Sequence, residues 1–293
     1  MAYHEPKPMP TAWNPQHFFK DYSENTHVAL QNVYRYTTDA VIQGFYPVGT
    51  DGKHPLRLAP LGTTQVFDAE HPAPQIQAPG TRNTRIEVWN MDCLYAAKQI
   101  IDAENVQPLV LNMASFANPG GGVNHGARAQ EEDLFRRSNY MMSLNPIRFD
   151  TYPLHHREGA IYSGNVTVFR DGRDKGYPFI EQPFQVDFIA VAAEHLHYTT
   201  THFTDEQREL MRHKVRVLFR VAHLMGNTHL VLSALGCGAF HNPPAEVAQI
   251  FREVLQEPEF ANQFDHIIFA IIDDHNAHGA GNYLPFQQAF LPY

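Results

Sequence analysis

The run Asn118-Pro119-Gly120-Gly121-Gly122, with Gln130-Glu131-Glu132 close behind it, decides how this chain is read. Three consecutive glycines let a backbone press against a ligand where any β-carbon would collide. The residues before them, Pro108-Leu-Val-Leu-Asn-Met-Ala114, read as a buried strand, and the spacing after them predicts a helix from about Ala127 to Ser143. An ordinary surface loop has no need of three glycines between a buried strand and a helix. Asn118 can bond a sugar hydroxyl, and Gly120, Gly121 and Gly122 leave room for a sugar and its phosphate, with N–H groups able to face anionic oxygens. Neighbouring helical residues point roughly 100° apart, so Glu131 and Glu132 cannot share one task. One should bind and the other react.

Outward from this run, strands and helices alternate. Ile86–Trp89, Ala160–Phe169, Val186–Ala193, His229–Leu235 and His266–Ile272 read as strands. Thr204 and Gln207 form a capping box for a long helix, and Pro243-Pro244 suit the first turn of another. This pattern is that of an α/β layered domain. Residues 1–83 differ: proline and glycine interrupt the apolar pattern, and one helix is predicted near Asn25–Gln43, with Val28, Val33, Tyr36, Ala40 and Val41 on its buried face. We therefore expect an accessory segment over 1–83, packed on a catalytic domain over 84–293.

Two more loops follow strands, where α/β folds usually hold ligands. Asp92 in Asn90-Met-Asp92 either caps a helix or accepts a ligand amine. Gly236-Cys237-Gly238-Ala239-Phe240 runs into a helix and offers an anion site; Phe240 is either core or a ring beside a ribose or base. Cys237 has no base partner and reads as a small residue in a tight loop. Arg136 and Arg137 are expected to pair with the acids of their own helix.

Bulk composition narrows the class. The net charge of −9 argues against direct nucleic-acid binding through the backbone alone. Two distant cysteines do not make a disulfide framework, the start MAYHEPKPMP lacks a secretory apolar core, and no run approaches membrane-spanning length. An intracellular protein is expected, cytoplasmic with the nucleus left open. The histidine pairs His155-His156 and His195-x-His197 lack zinc-site spacing, so neither metal nor cofactor is expected.

Asn90-x-Asp92, Ala117-Asn-Pro-Gly-Gly-Gly122, Gly126-Ala-Arg-Ala-Gln-Glu-Glu132, the Tyr162–Arg170 segment and Gly236-Cys-Gly-x-Phe240 together resemble the microbial-type poly(ADP-ribose) glycohydrolases, a branch of the macrodomain fold, over roughly residues 25 to 275. The resemblance implies a three-layer αβα sandwich with a mixed sheet. It implies hydrolysis, mainly exo, of the ribose–ribose O-glycosidic bond in poly(ADP-ribose) or poly(ADP-ribosyl)ated proteins, as in the DNA damage response. By position, Glu132 would be the catalytic acid and Glu131 would hold ribose hydroxyls. Asn118 and the 120–123 backbone including Val123 would contact the distal ribose, and Gln130 would bind substrate. The 236–240 loop would embrace the diphosphate, and Asp92 would meet the adenine amine. Trp89 and Leu235 depart from the family pattern, where a smaller or basic residue and a tryptophan are expected. Two rivals share these motifs: a reader that binds ADP-ribose without cutting, and a hydrolase of terminal protein- or nucleic-acid-linked ADP-ribose.

Overall fold

The computed structural model describes residues 13–48, 54–273 and 281–291; the expectations for residues 1–12 and 49–53 fall outside these. In chain order the elements are α1 (Pro15–Glu24), α2 (Thr26–Gln43), β1 (Phe45–Val48), β2 (His54–Arg57), β3 (Thr64–Phe67), β4 (Arg85–Trp89), α3 (Cys93–Glu104), β5 (Leu109–Met113), α4 (Gln130–Arg137), α5 (Met141–Leu144), α6 (Arg148–Thr151), β6 (Ala160–Arg170), β7 (Phe179–Val191), α7 (Asp205–Leu224), β8 (His229–Leu232), α8 (Pro244–Leu255), β9 (His266–Ala270) and α9 (Tyr283–Phe290). A mixed seven-stranded sheet runs β3-β6-β7-β5-β8-β9-β4. β7, β5, β8, β9 and β4 are parallel to their neighbours in that series, and β3 is antiparallel to β6.

The described chain forms two compact units. One comprises residues up to 62 together with 119–148 and 165–185; the other comprises 63–118, 149–164 and 186 onward. In the first unit, Asn25 caps α2 by accepting from the Val28 N–H, and Gly44 ends it with φ 74°, a left-handed stop that glycine adopts without strain. Its buried stripe is Ala29, Leu30, Val33, Tyr34, Thr37, Ala40 and Val41. The expected stripe is rotated, because Val28 is exposed and Thr37 takes an interior place, donating to the Arg136 carbonyl at 2.6 Å. The helix predicted to Ser143 stops at Arg137. Ser138 bridges to Val168, and Asn139 exchanges two hydrogen bonds with the Thr167 backbone, so this segment leaves helical geometry to pair with the end of β6.

In the second unit, Asp92 caps α3 through the Leu94 and Tyr95 N–H groups, and the Thr204–Gln207 box caps α7 as predicted. All five residues of β9 are buried, as a central parallel strand requires. Helix α3 lies against β5, β8 and β9, while α8 packs against α7 and α9. The change of pattern near residue 84 coincides with the start of β4. The stretch read as irregular upstream contains β3, an edge strand of the main sheet.

Candidate active site

The first unit carries the acid loop. Gly120 and Gly121 have φ of 74° and 52°, values that L side chains rarely adopt. Each glycine is also required sterically from within. A β-carbon on Gly120 would lie 2.8 Å from the Phe135 ring, one on Gly121 would lie 2.5 Å from Glu132 Oε1, and one on Gly122 would lie 2.8 Å from Ala127 Cβ. The triple glycine thus makes room for the acids and their helix.

Both carboxylates are buried, Glu131 at 3% and Glu132 at 6% exposure. The Gly120 N–H donates to Glu131 Oε1 at 3.1 Å, and the Gly122 N–H donates to Glu132 Oε1 at 2.8 Å. The N–H groups of Gly120 and Gly122 therefore hold the acids. The Val123 side chain is buried and its N–H donates to the Gly120 carbonyl. Glu132 Oε2 is buried without a hydrogen-bond partner. One oxygen of Glu132 is fixed by the main chain while the other is buried and unbonded. Glu131, Glu132 and Asp133 occupy the first turn of α4, where the helix dipole favours negative charge.

Helix α2 backs this loop. Gln31 Nε2 donates to the Asn124 carbonyl at 3.0 Å, and Gly126 (φ 74°) abuts the His27 backbone so closely that a β-carbon would stand 2.3 Å from its carbonyl oxygen. Arg136 donates to the carbonyls of Leu30 and Ala127, so it pairs with backbone and not with the acids of its helix. Arg137 does pair with Asp133, at 3.1 Å.

Gln130, the first residue of α4, also belongs to the first unit, and the second unit holds the remaining predicted residues. Asp92, Asn118 and the 236–240 loop all follow the carboxyl ends of parallel strands β4, β5 and β8. Asp92 is the α3 cap, Asn118 is exposed, and its N–H faces Ser115 Oγ at 3.3 Å. Gly236 has φ 75°, and a β-carbon there would lie 2.5 Å from Ala193 Cβ. Gly238 differs: no atom lies within 4 Å of where its β-carbon would be. Its missing side chain answers no packing demand among the described residues. Cys237 is buried, and burial pushes its thiol well above the ordinary value, which agrees with a structural role. Sequence reading overlooked Asn242. Its Nδ2 donates to the carbonyls of Glu194, Gly236 and Phe240 at 2.8, 3.1 and 3.1 Å, and so fixes the loop. A short amide at the end of a glycine loop and before Pro243 was the available signal.

Among the described residues, no group of three or more His, Cys, Asp or Glu side chains is placed to hold a metal ion, and no helix is long and apolar enough to cross a membrane.

The model of the microbial-type PARG catalytic domain matches residues 35–171. A comparison with curated protein sequences yields no match. Among solved structures, poly(ADP-ribose) glycohydrolase from Thermomonospora curvata bound to the inhibitor ADP-HPD is 31% identical, with TM-score 0.78, covering 89% of this chain and 99% of that one. The Deinococcus radiodurans enzyme in complex with ADP-ribose is 32% identical, with TM-score 0.66, covering 77% and 93%. The fold is the macrodomain-like α/β sandwich built on a mixed sheet, here carrying a glycosidase. The chain belongs to the microbial-type poly(ADP-ribose) glycohydrolase family.

Proposed function

We propose that this protein hydrolyses the ribose–ribose O-glycosidic bonds of poly(ADP-ribose), free or attached to proteins, working mainly from chain ends and releasing ADP-ribose. The observation that carries this reading is the Glu132 carboxyl, tethered through Oε1 to the Gly122 N–H with Oε2 buried and unbonded. A ribose hydroxyl is a poor leaving group unless it is protonated as the bond breaks. Glu132 supplies that proton from Oε2, a contribution of roughly 10²- to 10⁴-fold in rate. The ribose left behind has oxocarbenium character, which the diphosphate of the substrate can stabilise. Glu132, now a carboxylate, takes a proton from the incoming water, which attacks the anomeric carbon and restores the acid. Glu131 orients ribose hydroxyls. Asn118 and the 120–123 backbone contact the distal ribose, Gln130 binds substrate beside them, the 236–240 loop takes the diphosphate, and Asp92 takes the adenine amine.

The test is digestion of purified polymer by the wild type and by Glu132→Gln. Wild type should release ADP-ribose without added metal. The variant should lose turnover and keep ADP-ribose affinity within about tenfold, or ~1.4 kcal/mol. Full activity in the variant would remove Glu132 from its role, and binding without cleavage by wild type would make the protein a reader.

A further inference from the structure

Beside the 236–240 loop, in the same unit, aromatic rings gather at the surface. The His195 ring lies 5.2 Å from Phe240 and 6.0 Å from His241, centroid to centroid. Farther along the same turn, the His197 and Tyr198 rings are 4.5 Å apart, with His197 Nδ1 hydrogen-bonded to Thr199 Oγ1 at 2.8 Å. The turn is tied to the loop by main chain: Leu196 is buried and its N–H donates to the Phe240 carbonyl at 2.9 Å. His195, His197 and Tyr198 are exposed, Tyr198 by 60%. Core packing does not account for three exposed rings on one anchored turn.

The two segments, Glu194-His-Leu-His-Tyr-Thr199 and Gly236-Cys-Gly-Ala-Phe-His241, contain neither lysine nor arginine, in a chain of net charge −9. Neither segment itself supplies a fixed cation to draw a polyanion. Stacking is the attraction such a surface offers, and it serves any base because every base has a π-face. On the reading above, the substrate carries a purine in every unit.

We propose that His195 and Tyr198 form a specificity-determining surface that stacks a purine base of the polymer unit next to the one held by the 236–240 loop. The proposal rests on the glycohydrolase reading. It makes the enzyme favour polymer over single ADP-ribose units through rings, without raising its positive charge.

The experiment compares KM and kcat on long-chain poly(ADP-ribose) with Kd for free ADP-ribose, in His195→Ala, Tyr198→Ala and His195→Phe. Both alanine variants should raise KM for polymer about tenfold, leaving kcat and the ADP-ribose Kd unchanged. His195→Phe should restore KM, since a ring and not an imidazole is required. Equal loss of ADP-ribose affinity and polymer KM would overturn the proposal by placing these rings on the single bound unit. No change in either quantity would overturn it by making the rings a passive surface. Failure of the parent reading shows separately, as a wild type that leaves polymer intact.

Discussion

Glu132 occupies the space that any side chain at Gly121 would need: a β-carbon there would stand 2.5 Å from Glu132 Oε1 and 3.2 Å from Glu131 Oε2. The glycine and the acids are one packing unit. Gly121→Ala should therefore displace the carboxyl, and the backbone at φ 52° adds strain. A displacement near 1 Å at a reacting group costs about 10²-fold in rate. Steady-state kinetics should show kcat falling by about that factor, with KM little changed.

Gly238 calls for the opposite outcome. Space is open where its β-carbon would be, so Gly238→Ala should fold with an unchanged melting temperature. If the loop lies against a diphosphate, the added methyl meets the ligand. Calorimetric titration should show ADP-ribose affinity weakened about tenfold or more, or ~1.4 kcal/mol. Unchanged affinity would move the diphosphate away from this residue.

Asn242→Ala removes a side chain that is 2% exposed and serves three carbonyls. The Gly236 carbonyl still accepts from the residue-242 N–H and the Phe240 carbonyl from the Leu196 N–H, so the loss is that of the side-chain bonds, roughly 0.5–1.5 kcal/mol each. Chemical denaturation should register that loss, and ADP-ribose binding should weaken because the 236–240 loop loses its staple.

Stability should depend on pH through the outer face of α7. Arg212, Arg216 and Arg220 reach Glu253, Glu257 and Glu259 at 2.6, 2.8 and 2.6 Å, and Arg208 reaches Glu246. Burial alone would raise the Glu259 carboxyl, but hydrogen bonds from Arg220 and the Ile76 N–H outweigh it and hold the group below the ordinary carboxylate range. Glu253 is lowered too, as hydrogen bonds from Arg212 and Gln249 outweigh its burial. A depressed carboxyl stabilises the fold above its unfolded value, about 4.3 for glutamate, and that contribution is lost as pH falls through the folded value. Melting temperature should hold from neutral pH to about pH 5 on account of these groups and drop below about pH 4. Glu259→Gln should flatten the acid limb.

How much of this was legible depended on whether local chemistry was strong enough to speak for itself. The Asp92 cap, the Thr204–Gln207 box and the apolar run of β9 announce themselves through side chains that act within a few residues. The strands β1, β3 and the first half of β7 do not. Phe45-Tyr-Pro-Val48 and Phe179-Ile-Glu-Gln-Pro-Phe-Gln185 contain prolines that read as breakers, and Thr64-Gln-Val-Phe67 is too short to show a period. Their strand character comes from partners distant in sequence. At the site, the spacing of Gly120–Gly122, Glu131 and Glu132 was legible, but the packing of the glycines against Phe135, Glu132 and Ala127 was not. Spacing does not reveal that a bare backbone also meets a neighbouring carboxylate. Asn242 was missed because its position before Pro243 was the one local signal, and the carbonyls it serves leave no mark in the sequence.

The backing of the acid loop by α2 has a practical corollary. Gln31, Leu30, Thr37 and the His27 main chain hold the loop from about a hundred positions upstream. A fragment begun at residue 84 would still contain every group proposed to touch substrate, yet the segment that carries Glu132 would lose these supports. Trimming inward from the amino end should therefore extinguish turnover abruptly once α2 is breached.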